Sequence, residues 1–477
     1  MTAQAGPGGA SRARTTLLCA ALACLPFLAW RALLGLPLMG WDAFPLVSAA
    51  KVESASDAAG LFTSELMGGR YPLGHYWRPL VHASFAIDRA VWGLEPLGYH
   101  LTDVAALAAG ALATFALARR FAGTALAAAV AGALFALHPV HFDVLAAPAR
   151  RADLLCTAAM VASLAAAASR KRGLATIAAL AALAAKETGI ATAPAVFVLV
   201  ACTEERGSLG VRLASAARFA WPAFAATAVW FTVRAAVVGG LGGEARFDAS
   251  AAILELPRNA LGLVASALGL ARAGFEPAAA LGAIAALALV AFALASTSRE
   301  RAAAFGELAF VALWLSGLAA VTGTSGVERA WYELPFVPPV AVLLAWIVAR
   351  GVDFARERRA VVATLALAVS GAVLALAIVH GPLVRERRDL AQAGERTREF
   401  LGRFERALRS AAPGTAVELA GFAPSVRIEG REISLHAPYS LEAFAEIAVP
   451  EKRVRAVLAG SPFAAPSAGE VVVVLAR

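Results

Sequence analysis

Charge is what this chain has least of. Asp, Glu, Lys and Arg make up only 16% of its 477 residues while 60% are hydrophobic, and the mean hydropathy is +0.68. A soluble globular domain carries roughly 25% charged residues on average, so the composition excludes a water-soluble globule and predicts a polytopic membrane protein. Lysine is nearly missing, occurring only at Lys51, Lys171, Lys186 and Lys452, and arginine supplies the rest of the 43 basic residues. With alanine abundant throughout, that bias fits a GC-rich bacterial genome and hence a bacterial inner membrane. The net charge of +9 does not point to nucleic acid, because the arginines sit in short clusters beside apolar runs, where membrane orientation explains them. The four cysteines, Cys19, Cys24, Cys156 and Cys202, lie in or beside apolar segments without metal-type spacing. That excludes a disulfide framework and a cysteine zinc site.

What is present is a series of apolar runs. A span needs about 20 such residues, and candidates fall near 15–36, 99–118, 121–140, 152–169, 173–187, 189–203, 215–237, 276–295, 305–323, 331–349 and 360–380. The first follows Arg12 and Arg14 but is too long, and lacks the small-residue site, for a cleaved signal peptide, so it reads as an uncleaved span. About eleven spans put Arg12/Arg14, Arg119-Arg120, Arg170-Lys171-Arg172, Arg206/Arg212, Arg299/Arg301 and Arg356-Arg358-Arg359 all in the cytoplasm, with the N-terminus. Parity holds only if 257–275, too short an apolar run to span, lies in the interface. The chain then divides into an all-α transmembrane domain, 1–384, with a long first outer loop over about 37–98, and a small soluble α/β domain outside the membrane, 385–477. In the latter an amphipathic helix over 385–411 precedes strand-like runs at 416–419, 426–428, 432–435, 454–458 and 471–475. No nucleophile, metal or phosphate-loop motif occurs in it, and an accessory or substrate-guiding role is expected.

Under this topology the loops holding Asp42, Arg78, His138, His141, Asp143, Arg151 and Glu328 face outside. A carboxylate where a membrane helix surfaces is costly and is a functional candidate. Yet Asp42 also suits the cap of a helix beginning near Phe44, with Pro45 in its first turn. The Lys186-Glu187 pair at the tip of two short apolar halves must pair or line a wet cavity, or mark a plain hairpin turn. His138, His141 and Asp143 have a spacing that admits a metal. With Pro139 between the histidines and no further ligand near, a polar, cationic cup of Arg151 and the two histidines for an anionic ligand is the stronger expectation.

Several motifs recur in one order: Tyr76-Trp77-Arg78-Pro79-Leu80, Trp92 to Thr102 (WGLEPLGYHLT), Leu137-His138-Pro139-Val140-His141, Arg151-Ala152-Asp153-Leu154-Leu155, Ala185-Lys186-Glu187-Thr188, and Glu328-Arg329 with Leu334-Pro335. Over residues 15–350 they resemble the membrane core of the GT-C glycosyltransferases, in particular the transmembrane O-mannosyltransferases whose eukaryotic members carry tetratricopeptide repeats, with protein mannosyltransferase and aminoarabinose transferase relatives. The resemblance implies transfer of a sugar, such as the hexose mannose, from a polyprenyl-phosphate donor to a protein or glycolipid hydroxyl on the outer face. By position it makes Asp42 the catalytic base. The departures are a single Asp in Trp41-Asp42 where the family often has an acidic pair, Ala149-Arg150 where Gly commonly precedes the motif Arg, Ala330-Trp331-Tyr332 after Glu328-Arg329, and no repeats; they leave the acceptor open. An ionised phosphate leaving group needs cations rather than an acid. Arg78, Lys186 and Arg329 are the candidates for it, and His138, His141, Asp143, Arg151, Asp153, Glu187 and Glu328 are supporting polar residues. A single displacement inverts the anomeric carbon, and no cofactor or metal is expected. The rivals are pentose or aminoarabinose transfer to a glycolipid, a transporter of lipid-linked sugars, which would need inverted repeats, and a non-catalytic scaffold.

Overall fold

The computed structural model describes residues 7–71, 74–204, 207–240, 242–244, 249–270, 298–322, 330–356, 360–410, 416–419, 424–428, 431–450, 456–458 and 472–474. The span expected at 276–295, and the candidates Glu328 and Arg329, lie outside these.

Helix α1 (Pro7–Ala29) ends where the Trp30 indole donates to the Ala136 carbonyl at 2.8 Å. The long connection after α1 carries α2 (Ala43–Ala49), α3 (Ala55–Thr63) and α4 (Pro79–Trp92). Next, α5 (Pro96–Ala122) opens with proline, which needs no amide partner there, and closes at Gly123 in the left-handed region (φ +68°) with Arg119 and Arg120 facing the negative end of the dipole. Helix α6 (Ala125–Leu137) is capped by Thr124 and stops before His138-Pro139, since the residue ahead of a proline leaves helical geometry. The short α7 (His141–Leu145), then α8 (Arg151–Ala168), α9 (Arg172–Ala185), α10 (Thr192–Thr203), α11 (Leu209–Val238) and α12 (Ala249–Ala267) follow. The remaining long helices are α13 (Ser298–Thr322), α14 (Val337–Arg356) and α15 (Ala360–His380). Buried alanines such as Ala111, Ala118, Ala128, Ala131 and Ala345 let these helices approach closely in one core.

The expectation of a predominantly helical, multi-pass membrane chain is met. By length and composition, six helices among the described residues can cross a membrane: Arg12–Ala29, Pro96–Ala122, Pro148–Ala168, Leu209–Val238, Phe305–Thr322 and Trp331–Val352. Other expected spans are shorter apolar helices, including Ala125–Leu137, Arg172–Ala185 and Glu187–Thr203. The break between α9 and α10 is a 3-10 turn, Glu187–Ala191. Gly189 permits it, because a Cβ there would stand 2.5 Å from the Ala182 backbone. Of the segment expected in the interface at 257–275, residues 257–267 belong to α12, which begins earlier, at Ala249, and 271–275 lie outside the described residues.

In the C-terminal part the amphipathic helix is α16 (Arg388–Ser410). Strands β1 (Gly74–His75) and β2 (Gly243–Glu244) form an antiparallel pair between two connecting segments. The C-terminal strands are β3 (Ala416–Leu419), β4 (Ser425–Ile428), β5 (Arg431–Ser434), β6 (Ala456–Leu458) and β7 (Val472–Val474). They form a parallel β6-β3-β7 sheet and a β4-β5 hairpin. A further helix, α17 (Pro438–Ala448), occupies a stretch for which the sequence pattern predicts no element. This C-terminal part does not stand apart: Leu390, Ala393, Ile428, Ile433 and Leu435 join the main apolar core, and Ala443 packs in the cluster around Phe44.

Candidate functional site

Three helix starts meet at one apolar cluster in which Phe44 and Val47 of α2, Val81 and Phe85 of α4, and Ala152 of α8 pack together. Asp42, Arg78 and Asp153 sit at the leading ends of these helices, whose starts the shared apolar cluster fixes.

Asp42 stands at the N-cap position of α2 but does not cap it. Its backbone (φ −102°, ψ 1°) is not extended, and its side chain makes no bond to the helix amides. Instead Oδ1 accepts a 2.7 Å hydrogen bond from the Tyr439 hydroxyl of α17. The preceding turn is tightly specified: Gly40 adopts φ +101°, a Cβ on it would lie 3.0 Å from that of Ala147, and its amide donates to the Leu435 carbonyl at 2.8 Å. Three other acidic residues of this loop, Glu53, Asp57 and Glu65, are committed elsewhere. Asp57 closes a capping box with Ser54, and its carboxyl is lowered by the Glu53 amide and the Ser54 hydroxyl. Glu53 pairs with Lys51 at 2.8 Å, and Glu65 contacts His75 at 2.8 Å.

Arg78 and Lys186 come together through the residues around them. The Arg78 guanidinium grips Glu187 with contacts of 2.8 and 3.1 Å and lies over Tyr76. Glu187 also takes a 2.9 Å bond from Arg234, a partner that sequence reading missed. Burial disfavours the Arg78 charge, but Glu187 outweighs it and holds the pKa above its ordinary value, so the charge is permanent. Lys186 pairs with Asp153 at 2.5 Å beneath the Tyr332 ring, 4.8 Å from its centroid. Trp331 stacks on the neighbouring cation Arg150 at 3.8 Å.

The expected cationic cup does not form. Arg151 is fully buried, with Asp103 at 2.5 Å, Asp88 at 2.6 Å, the Tyr99 carbonyl at 2.9 Å and Ser84 at 3.2 Å. Its fork is spent on joining α4, α5 and α8. His141 bonds the Phe135 carbonyl at 2.7 Å between the rings of Trp30 and Phe135, inside the core. His138, also buried, contacts the Ala267 carbonyl at 3.3 Å with Glu333 at 3.8 Å. Among the described residues no three His, Cys, Asp or Glu are arranged to hold a metal. Asp143 stands 3.9 Å from Arg387, beside a cavity of about 70 Å³ lined by Phe142, His380, Arg385, Arg387 and Arg431. Asp389 pairs there with Arg387 at 2.7 Å; burial pushes its carboxyl up, but Arg387 outweighs this and holds it below the usual range. Asp88 and Asp103 could have been found in sequence, as carboxylates inside semi-apolar helices.

No family model matches the chain. A stretch of 78 residues, 16% of the chain, is 40% identical to the protein O-mannosyl-transferase Tmtc1 of Drosophila melanogaster, and 79 residues are 35% identical to Tmtc2 of the same fly. These matches span 9% and 8% of the two relatives' lengths. Among solved structures, ArnT from Cupriavidus metallidurans bound to undecaprenyl phosphate superposes with a TM-score of 0.48 at 15% identity, covering 95% of this chain and 90% of that one. The oligosaccharyltransferase AglB from Archaeoglobus fulgidus, in complex with an inhibitory peptide and a dolichol-phosphate, gives 0.47 at 14% identity, covering 94% of this chain and 64% of its own.

Proposed function

We propose that this chain is a GT-C-type membrane glycosyltransferase. It moves a hexose, with mannose the first candidate, from a polyprenyl-phosphate donor to an acceptor hydroxyl on the outer face, inverting the anomeric carbon. The observation that carries the reading is Asp42: a carboxylate at a helix start that declines the capping bond and is held by a tyrosine from the far end of the chain. The stretch 40% identical to a protein O-mannosyl-transferase supports the reaction class. As general base, Asp42 takes the proton of the attacking hydroxyl, assistance worth about 10²–10⁴-fold. The departing phosphate is stabilised by cations, for which Arg78, Lys186 and Arg329 are proposed. Arg78 and Lys186 are now partnered by Glu187 and Asp153, which hold both charges in a half-dry site and yield to a phosphate of higher charge. The arginine clusters beside the apolar runs support a cytoplasmic N-terminus and an external C-terminal part in a bacterial inner membrane.

The test is transfer by the purified chain in oriented proteoliposomes, supplied with radiolabelled polyprenyl-phosphate hexoses and with protein or glycolipid acceptors added outside. Label on an external acceptor hydroxyl is expected. No transfer from any polyprenyl-phosphate sugar contradicts the function, and transfer only to enclosed acceptors contradicts the orientation.

A further inference from the structure

The turn that carries Asp42 is gripped by the C-terminal part at several points. The Gly40 amide meets the Leu435 carbonyl at 2.8 Å, and the Trp41 indole donates to the Pro424 carbonyl at 3.0 Å. Phe44 lies against His436 and Phe444, with ring centroids 5.1 and 4.9 Å apart. Farther along the loop, Glu446 receives Arg70 through contacts of 2.7 and 2.9 Å and Ser48 at 3.2 Å. Tyr439 stands in the first turn of α17, fixed by Pro438 ahead of it, with Tyr71 edge-on to its ring. A domain attached only as an accessory would not need to reach the one candidate base.

We infer that Tyr439 is a positioning residue for Asp42, and that the C-terminal part completes the catalytic site. The inference rests on the reading of Asp42 as base. A phenol donating to a carboxylate makes a short, charge-assisted bond, here 2.7 Å. That bond restricts the rotation of the carboxyl group at the head of a seven-residue helix. A hydroxyl that donates to a carboxylate also favours its ionised form, the form that can accept a proton. The proton taken from the acceptor resides on Asp42 and passes to solvent after the glycosidic bond has formed and the sugar–phosphate bond has broken.

The experiment compares Tyr439→Phe, Asp42→Asn and Glu446→Gln in the full chain. Tyr439→Phe keeps the ring and its packing. It is expected to lower kcat about ten- to hundredfold, the size of a hydrogen bond to a charged group, with KM for the donor unchanged. The acidic limb of its pH profile should move to higher pH, because a bond that favours the ionised carboxylate is lost. Glu446→Gln loosens the same contact surface without touching Asp42 and should leave that limb in place. An unmoved limb and normal kcat in Tyr439→Phe, with Asp42→Asn inactive, overturns the inference and leaves the function standing. The same limb shift in Glu446→Gln also overturns it, because docking rather than the hydroxyl would then be the cause. A near-normal Asp42→Asn enzyme overturns both.

Discussion

The ionisable side chains differ in how their charges are spent. Arg151 is enclosed completely and meets two carboxylates, Asp88 and Asp103, from two other helices. A buried pair of this kind adds little net stability compared with apolar packing, but losing one partner strands a charge, at a cost of about 3–5 kcal/mol. Asp103→Leu is therefore expected to lower the thermal unfolding temperature of the detergent-solubilised protein sharply; an unchanged midpoint would show that Asp103 does not hold Arg151. From sequence Arg151 reads as a ligand for an anion because its partners lie 48 or more positions upstream, where spacing along one helix carries no information. The same limit hid Arg234, whose contact with Glu187 depends on how α11 packs beside α9. Asp42 was the more legible residue. Its place beside Trp41, after a membrane-length run, left two roles open, and the geometry that separates them is a capping bond the side chain does not make.

Among the elements, α2 and α17 form the contact that matters most for the site. Helix α17 has a legible start in Pro438, followed by Leu441, Phe444 and Ala445 at helical spacing, but its length of 11 residues between strand-like runs masked it. His436, in the approach to α17, is fully buried against Phe44, and burial drives its pKa down to about 3. The folded ring stays neutral, while the unfolded one takes up a proton near pH 6.5. Stability carried by this group is thus full above pH 6.5 and is lost as pH falls from there toward 3, by about 1.4 kcal/mol per unit. The C-terminal part should accordingly become more sensitive to protease between pH 6.5 and 4.5, and His436→Phe should flatten that dependence. Equal pH sensitivity in both proteins would remove His436 as the cause. The broken pair α9–α10, by contrast, could be read directly, because Lys186-Glu187 interrupts two apolar runs and Gly189 follows.

At the scale of the whole molecule, apolar run lengths foretold a helical membrane body and a compositional change near residue 385. They did not foretell that the C-terminal part would share the core of the body and reach back over nearly 400 residues to Asp42. That contact is a property of tertiary packing and has no local signature. It joins the two ends of the chain at the residue on which the proposed reaction depends. The most direct test of that proposal is the transfer rate of Asp42→Asn, with Asp57→Asn as a control from the same loop. Asn retains the shape of the side chain and removes its capacity to take a proton. The account predicts a folded Asp42→Asn protein whose turnover is lower by roughly two to four orders of magnitude, and an Asp57→Asn protein with normal turnover per folded molecule. A near-normal rate in Asp42→Asn would contradict it.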